Sequence, residues 1–453
     1  MNDNYRINCS IGSLNSINII DQKSDICLNN KEYNMSTDSR SIQKNDIFIA
    51  LKGRYSDGHN FLPQAFNNGA SAAIISEKKI FEESNFPLIL VQDTFIALSK
   101  ISEYNFKDIK SLKIAITGSV GKTTTKDYLK NVLSYYEPTF AAPESFNNEL
   151  GIALSKAKIS KLDKYAIFEV GMNMKNEISD LSKHINPDIA IITNIGEAHI
   201  GNLGSKKNIA IEKSNIIDGM SDGGIVLLPR DSDYFEFLQK KALAKNLRSI
   251  TFGYSNKSDI QISKITRGKD KVFIEFKVFG EVFEAYSNMQ NISIINNYLP
   301  VLGIAHILNY DLNEVLKNIT KSNVHKSRWQ EFDFELDNGQ VKLIDDTYNA
   351  SPTSMFEAIR SVDEYEADRI FRKIIIIGDM LELGGFNEKY HSDLVNLINK
   401  TNIDHVYFCG EYLSSLFGMV SSKKKKKHFR SVRDIWSIEE FEIAGGDLIF
   451  IKG

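Results

Sequence analysis

Residues 113–130 read KIAITGSVGKTTTKDYLK. The apolar run Ile114-Ala115-Ile116 leads into Gly118-Ser119-Val120-Gly121-Lys122-Thr123-Thr124, and a helix-compatible segment follows. This is the strand, glycine loop, helix order of a phosphate-binding loop. Gly118 and Gly121 let the backbone turn its N–H groups inward, Lys122 is long enough to reach terminal phosphates, and the Thr123 hydroxyl is a Mg²⁺ ligand type. The full Walker pattern places a glycine five residues before Gly121, where Ile116 stands, so the loop is the variant G-x-x-G-K-T-T. GKTT directly after an apolar strand argues against a plain glycine-rich turn ahead of a surface helix. The loop predicts a nucleoside triphosphate and leaves its use open.

Working outward, 453 residues suggest two to four domains at about 100–200 residues each. A hydrophobic fraction of 42% with 25% charged residues is ordinary for a globular protein. A net charge of −3 supplies no general basic field for nucleic acid. Cys9, Cys27 and Cys409 stand far apart, without metal or redox spacing, and read as reduced thiols. No apolar run approaches the ~20 residues of a membrane-spanning helix, and the opening MNDNYRINCS lacks a signal-peptide core. The expectation is a cytoplasmic protein, a monomer, with neither nucleic-acid binding nor membrane insertion. The run Lys423–Lys427 has no interleaved aromatics and reads as a solvated loop.

Residues 1–108 read as a small α/β domain. Strand-like runs recur at residues 46–51, 72–75 and 87–91, with a helical spacing of Phe61, Leu62, Ala65 and Phe66 ended by Gly69. The cluster Ser36-Thr37-Asp38-Ser39-Arg40 fits turn chemistry, and it equally fits a phosphorylated or nucleotide-sugar ligand.

Residues 109–321 alternate strands and helices, as a mostly parallel sheet requires. The strand at Tyr165–Glu169 ends on a carboxylate, and the strand at 189–193 runs into Asn194-Ile195-Gly196-Glu197-Ala198-His199. In open α/β sheets ligands sit at the carboxyl ends of strands, so Glu169, His199 and the glycine loop fall on one rim. Either residue alone reads as structural; both beside a phosphate loop fit Mg²⁺ ligands. Residues 204–217 predict a helix carrying Lys213, the stretch onward to about Phe283 reads as β-rich, and one helix is predicted over 293–308. Residues 322–453 restart the α/β rhythm as a doubly wound, Rossmann-like domain, with apolar strands opening into DDTYNASPTSM and DMLELG.

With these residues in view the chain resembles the Mur ligases of peptidoglycan synthesis over essentially its whole length. The resemblance is carried by STDSR at 36–40, DGHNF at 57–61, TGSVGKTTTK at 117–126, FNNELG at 146–151 and EVGMN at 169–173. It continues through TNIGEAHIGNLGS at 193–205, Lys213, IDDTYNASPTSM at 344–355 and GDMLELG at 378–384. The last two motifs resemble the branch that adds D-alanyl-D-alanine, and the D-N-P-R motif of the diamino-acid-adding branch is not found.

The resemblance implies ATP-driven amide formation. The carboxylate of a UDP-N-acetylmuramoyl-tripeptide would take the γ-phosphoryl group of ATP, and the D-alanyl-D-alanine amine would displace phosphate. By the same match, Lys122, Lys213, His199 and Glu169 would be the catalytic set. Gly118–Thr124, Asn297, Arg328, Asp345 and Tyr348 would bind ATP. Ser39, Arg40, Asn147, Asn148, Asn349 and Ser351 would bind the two other substrates. Two Mg²⁺ ions would be held by Thr123, Glu169, His199 and Lys213, the lysine as a CO₂-derived carbamate. A lysine ammonium would repel Mg²⁺, whereas a carbamate is an anionic oxygen ligand. Three departures stand out: Ser293 where relatives often carry His before the adenine asparagine, Ser327 where Gly usually precedes the arginine, and an end at Lys452-Gly453 where relatives usually continue.

A P-loop switch or motor ATPase is the reading from a different class, and it leaves STDSR and GDMLELG without a role. A nucleotide-sugar binder with a decayed ATP site conflicts with intact Lys122, Thr123, Glu169 and His199. Within the ligases the alternatives are a diamino-acid-adding or folate-type relative.

Overall fold

The described residues form three β-sheets, each flanked by helices. The computed structural model describes residues 6–23, 32–53, 56–143, 145–269, 271–322, 326–367, 370–437 and 443–453. Cys27 lies outside them. By its internal contacts the chain divides into two units, residues 1–112 with 137–168, and residues 113–136 with 169–453.

In the first unit the strands lie in the order Arg6–Ser10, Glu32–Ser36, Ile47–Ile49, Ala72–Ile75, Leu88–Val91, Ile19–Gln22. The inner pairs are parallel and both outer pairs antiparallel. Ile47–Ile49, Ala72–Ile75 and Leu88–Val91 are buried on both faces, which is why they read as unbroken apolar runs. One face packs on the helix Thr94–Phe106 and on Ala153, Leu154 and Ala157 of the helix Glu149–Lys158. That packing groups residues 137–168 with the N-terminal sheet. The short strand Thr139–Ala141 pairs in parallel with Tyr165–Glu169.

The second unit carries two sheets. In the first, Leu112–Thr117, Ile189–Ile192, Ile225–Pro229, Arg248–Gly253 and Ile260–Arg267 follow one another in parallel, and Val272–Val278 and Glu281–Ser287 extend them as an antiparallel meander. The glycine loop and Asn194–His199 therefore leave adjacent strands at the same edge. In the second, the order is Gln330–Leu336, Gly339–Asp345, Asp447–Lys452, Arg372–Gly378, His405–Cys409, Lys425–Phe429, all parallel except the first hairpin. Trp329, fully buried, anchors that sheet against Phe450, their ring centroids 5.4 Å apart.

Three sequence expectations change. The stretch read as β-rich contains the helix Phe235–Ala244, whose buried Phe235, Leu238 and Ala242 follow a helical spacing. The helix expected over 293–308 is two, Ile292–Ile295 and Tyr298–Ile307, broken at Asn296-Asn297, with Pro300 in the first turn of the second. The lysine run read as a solvated loop begins the edge strand Lys425–Phe429, where exposed lysines discourage further strand pairing.

Candidate active site

The loop is built by close backbone approaches. A Cβ on Gly118 would sit 1.8 Å from Thr193 Oγ1, and one on Gly121, at φ +84°, 2.2 Å from Asn297 Oδ1. No other side chain fits either position. Beyond the loop, the helix Lys122–Tyr136 buries Thr124, Thr125, Tyr128, Leu129, Val132 and Leu133. Its first-turn amides lack intrahelical acceptors and its dipole favours an anion.

Lys122 Nζ donates to the Gly118 carbonyl at 2.9 Å, folded over the loop. Burial pushes its ammonium below the usual lysine value, while Glu169 pulls in the opposite direction. Thr123 Oγ1 donates to Glu169 Oε2 at 2.8 Å and accepts from Arg328 Nη2 at 3.0 Å. The buried Lys126 ammonium lies 4.0 Å from the same carboxylate oxygen. Arg328 stacks 3.9 Å over the exposed Tyr348 ring, and its buried Nε has no hydrogen-bond partner among the described residues. The loop, Glu169 and Arg328 thus meet at one place, with Lys126 facing the Glu169 carboxylate and Arg328 bonded to the threonine that pairs with it.

His199 has left-handed backbone, φ +63°, and Glu382 Oε2 lies 2.7 Å from its Nδ1 without alignment for a hydrogen bond. Burial lowers its proton affinity, countered by Glu382 and reinforced by Lys213 and Lys122. Lys213, on the helix Lys206–Ser214, is almost wholly buried, and its Nζ meets the Met172 sulfur at 3.9 Å. Burial first, then Lys122, drives its ammonium well below the ordinary lysine range, with Glu212 opposing. Burial thus disfavours the ammonium relative to the neutral amine.

Asn297 is committed to the scaffold. Its Nδ2 donates to the Ser293 and Ile294 carbonyls at 2.9 and 3.1 Å, and its Oδ1 accepts from Thr125 Oγ1 at 3.2 Å. Asp345 accepts from Ser327 Oγ at 2.9 Å and from the Thr347 amide and hydroxyl at 3.0 and 2.6 Å. Ser327, at φ +57°, stands in a conformation glycine takes more readily, and that hydroxyl bond holds it there. Asn349 Oδ1 accepts from the Ala350 amide at 2.7 Å, and Ser351 caps the helix Pro352–Asp363 through a reciprocal box with Ser354.

In the other unit, Arg40 is exposed and forked onto Asp38, with Nε and Nη2 donating at 2.9 and 2.7 Å. That guanidinium holds the Asp38 carboxyl below its usual value. Ser39 is buried and donates to Gln64 Oε1 at 2.7 Å. Asn148 Oδ1 accepts from the Gly151 amide at 2.9 Å, capping the helix Glu149–Lys158, with Asn147 beside it.

Sequence reasoning gave no role to Asn194, Glu382, Glu197, Thr353 or Lys452. Thr353 Oγ1 donates to Glu197 Oε2 at 2.5 Å, and a Cβ on Gly201 would meet the Glu382 carbonyl at 2.5 Å. Lys452 Nζ donates to Asp346 Oδ2 at 2.6 Å and to the Asn349 carbonyl at 2.9 Å. The motifs GEAH and GDMLELG signalled some of these positions, but only their meeting in space shows the pairs.

A P-loop α/β protein with a carboxylate, an arginine and a desolvated lysine around its phosphate loop is the class that this fold and site define. Family models match residues 32–107 (Mur ligase family, catalytic domain), 116–305 (Mur ligase middle domain) and 328–453 (Mur ligase, glutamate ligase domain). The UDP-N-acetylmuramoyl-tripeptide–D-alanyl-D-alanine ligase of Rickettsia prowazekii is 34% identical over 421 residues, covering 92% of this chain and 91% of the relative. The Bacillus subtilis protein of the same name is 29% identical over 435 residues, covering 93% and 90%. The chain belongs to the Mur ligase family. A crystal structure of MurF from Acinetobacter baumannii superposes with a TM-score of 0.84 at 25% identity over 98% of this chain and 96% of that one. MurF from Thermotoga maritima, solved in complex with ADP, gives 0.75 at 24% identity over 92% and 93%, and it supports the fold alone.

Proposed function

We propose that the chain is an ATP-dependent ligase joining D-alanyl-D-alanine to UDP-N-acetylmuramoyl-tripeptide in cytoplasmic peptidoglycan precursor synthesis. The observation that carries this reading is the meeting of Lys122, the Thr123–Glu169 pair and Arg328 at the glycine loop. A switch ATPase has no use for the DDTYNASP segment, whose Tyr348 stacks on Arg328, or for the GDMLELG segment, which lies against His199 and Gly201. The division assigned is 1–108 for the UDP-sugar, 109–321 for ATP and 322–453 for the dipeptide.

The residues fit a divalent metal. Thr123 and Glu169 present adjacent hard oxygen donors, and Lys213 is a buried amine with no carboxylate partner among its hydrogen bonds. Among the described residues no three His, Cys, Asp or Glu side chains gather as a metal cluster; Mg²⁺ commonly takes one or two protein carboxylates and completes its shell with phosphate oxygens and water. Thr123 and Glu169 would hold one ion, and His199 with carbamylated Lys213 a second. When bound, Mg²⁺ supplies the charge neutralisation that lets a carboxylate approach a triphosphate.

The chain's own groups do the rest. Lys122 and Arg328 place two positive charges where the γ-phosphoryl group transfers. The tripeptide carboxylate takes that group, ADP forms, and the dipeptide amine attacks the acyl phosphate, giving amide, phosphate and a proton. Ser39 and Arg40 would meet the uridine diphosphate, which competes with Asp38 for the guanidinium. Asn147 and Asn148 would meet the sugar-peptide, Asp345 and Tyr348 the nucleotide, and Asn349 and Ser351 the dipeptide. Asn297 as an adenine contact requires exchange of its present bonds. Closure of the third domain keeps water from the acyl phosphate.

The test is phosphate release by the purified protein with ATP and UDP-sugar tripeptide, offered D-alanyl-D-alanine or a diamino acid. Release that requires the dipeptide is expected. Release indifferent to both amines overturns the ligase reading, and release with the diamino acid alone moves the chain to the sister branch.

A further inference from the structure

Only two residues separate the glycines of this loop, against four in the full Walker pattern. A shorter loop has fewer amides to wrap a phosphate and less slack to hold its own curve. In the structure the curve is held from the neighbouring strand end. Asn194 Oδ1 accepts from the Ser119 amide at 2.9 Å and from the Val120 amide at 3.0 Å. Thr193 Oγ1 donates to the Val120 carbonyl at 2.5 Å. Ser119 Oγ donates to the Gly196 carbonyl at 3.0 Å and accepts from the Gly196 amide at 2.9 Å. The segment Thr193–Gly196 thus bonds both residues between the glycines, and Asn194 alone takes both of their N–H groups.

We infer that Asn194 is the positioning residue of the phosphate loop. Its carboxamide oxygen takes the place a phosphate oxygen has in a longer loop. The triphosphate is then met by the amides from Gly121 onward, at the helix N-terminus, and by Lys122. One acceptor shared by two successive amides fixes the peptide planes of Ser119 and Val120, so the loop is formed before nucleotide arrives and less ordering entropy is lost on binding. Asn194 acts through the loop and needs no contact with the nucleotide.

The inference rests on the ATP reading above, and its test separates the two. Asn194→Ala removes the side-chain acceptor, which leaves the Val120 amide without one and the Ser119 amide with only the main-chain carbonyl of residue 194 at 3.3 Å; Asn194→Asp keeps an acceptor oxygen of the same reach. Two quantities are measured on the full chain: amide hydrogen exchange of segment 118–121 without ligand, and the dissociation constant for the non-hydrolysable analogue AMP-PNP. Wild type and Asn194→Asp are expected to protect the segment. Asn194→Ala is expected to lose that protection while exchange elsewhere stays unchanged, and to bind AMP-PNP at least tenfold more weakly with an unchanged thermal midpoint. Protection retained in Asn194→Ala, AMP-PNP affinity within twofold of wild type, or loss of protection in Asn194→Asp overturns the inference. Wild type that protects the segment but binds no AMP-PNP sinks the ATP reading and leaves the loop's positioning standing.

Discussion

The Arg328 guanidinium donates to Thr123 Oγ1 at 3.0 Å while stacked 3.9 Å over the Tyr348 ring. One side chain of the third sheet's domain therefore completes the phosphate loop of the preceding one. Arg328→Lys keeps the charge but loses the planar stack and the fork. Steady-state kinetics are expected to show kcat/KM for ATP falling by about 10²-fold, the cost of roughly 2–3 kcal/mol for a charge-assisted contact. Affinity for the UDP-sugar substrate is expected to stay unchanged.

Gly201 marks where the third domain seats on the GEAH segment. A Cβ there would meet the Glu382 carbonyl at 2.5 Å and the Gly384 amide nitrogen at 2.6 Å, both backbone. Gly201→Ala is expected to displace the GDMLELG loop and lower kcat on the order of 10²-fold, as small misplacements of an assembled site do. ATP affinity, measured by titration, is expected to change far less.

Burial disfavours the Lys213 ammonium, the direction that favours addition of CO₂ to the amine. In ¹³C-bicarbonate a carbamate carbonyl resonance is expected from wild type and not from Lys213→Arg. The sign of the pH dependence follows from the lowered proton affinity. Unfolded lysine binds a proton that the folded residue refuses, so burial costs stability as pH falls from the unfolded value towards the folded one. The carbamate signal is expected to fade on acidification through the same window.

Lys452 offsets the charge of Asp346, whose carboxyl burial raises above its usual value even with Lys452 and Arg328 nearby. Lys452→Met strands that carboxylate and is expected to cost about 3 kcal/mol in denaturant unfolding. A raised carboxyl binds its proton more tightly folded than unfolded. The deficit is therefore expected to grow as pH rises from the unfolded carboxyl value through the raised folded one, and to shrink in Lys452→Met/Asp346→Asn.

Cys9 is buried, and desolvation lifts its thiol to about 11, against a lowering hydrogen bond to Ser13. At pH 8 about a thousandth of it is thiolate. Iodoacetamide labelling followed by peptide mass spectrometry is expected to leave Cys9 unmodified in the native protein and to label it fully in denaturant.

The buried parallel strands and the glycine loop were legible because their signals are local. Ala72–Ile75 and Ile189–Ile192 are unbroken apolar runs, and GKTT follows one. The helix Phe235–Ala244 was missed because exposed Phe237 and Leu243 stand among its helically spaced buried residues Phe235, Leu238 and Ala242, so its apolar residues do not mark one face. The break at Asn296-Asn297 was missed because apolar residues on both sides continue a helical spacing across it. There Asn297 turns its amide back onto the Ser293 and Ile294 carbonyls.

By itself the sequence determined the phosphate loop, the buried parallel strands, and the family likeness. Each depends on residue type and spacing along one short stretch. Only the tertiary structure decided which distant groups complete the site: Asn194 on the loop amides, Arg328 on Thr123, and Glu382 beside His199. These pairs join residues far apart in sequence through single hydrogen bonds or ion contacts. Their geometry is set by the parallel register of Leu112–Thr117 with Ile189–Ile192 and by the seating of the third domain, and neither leaves a periodic trace in the chain.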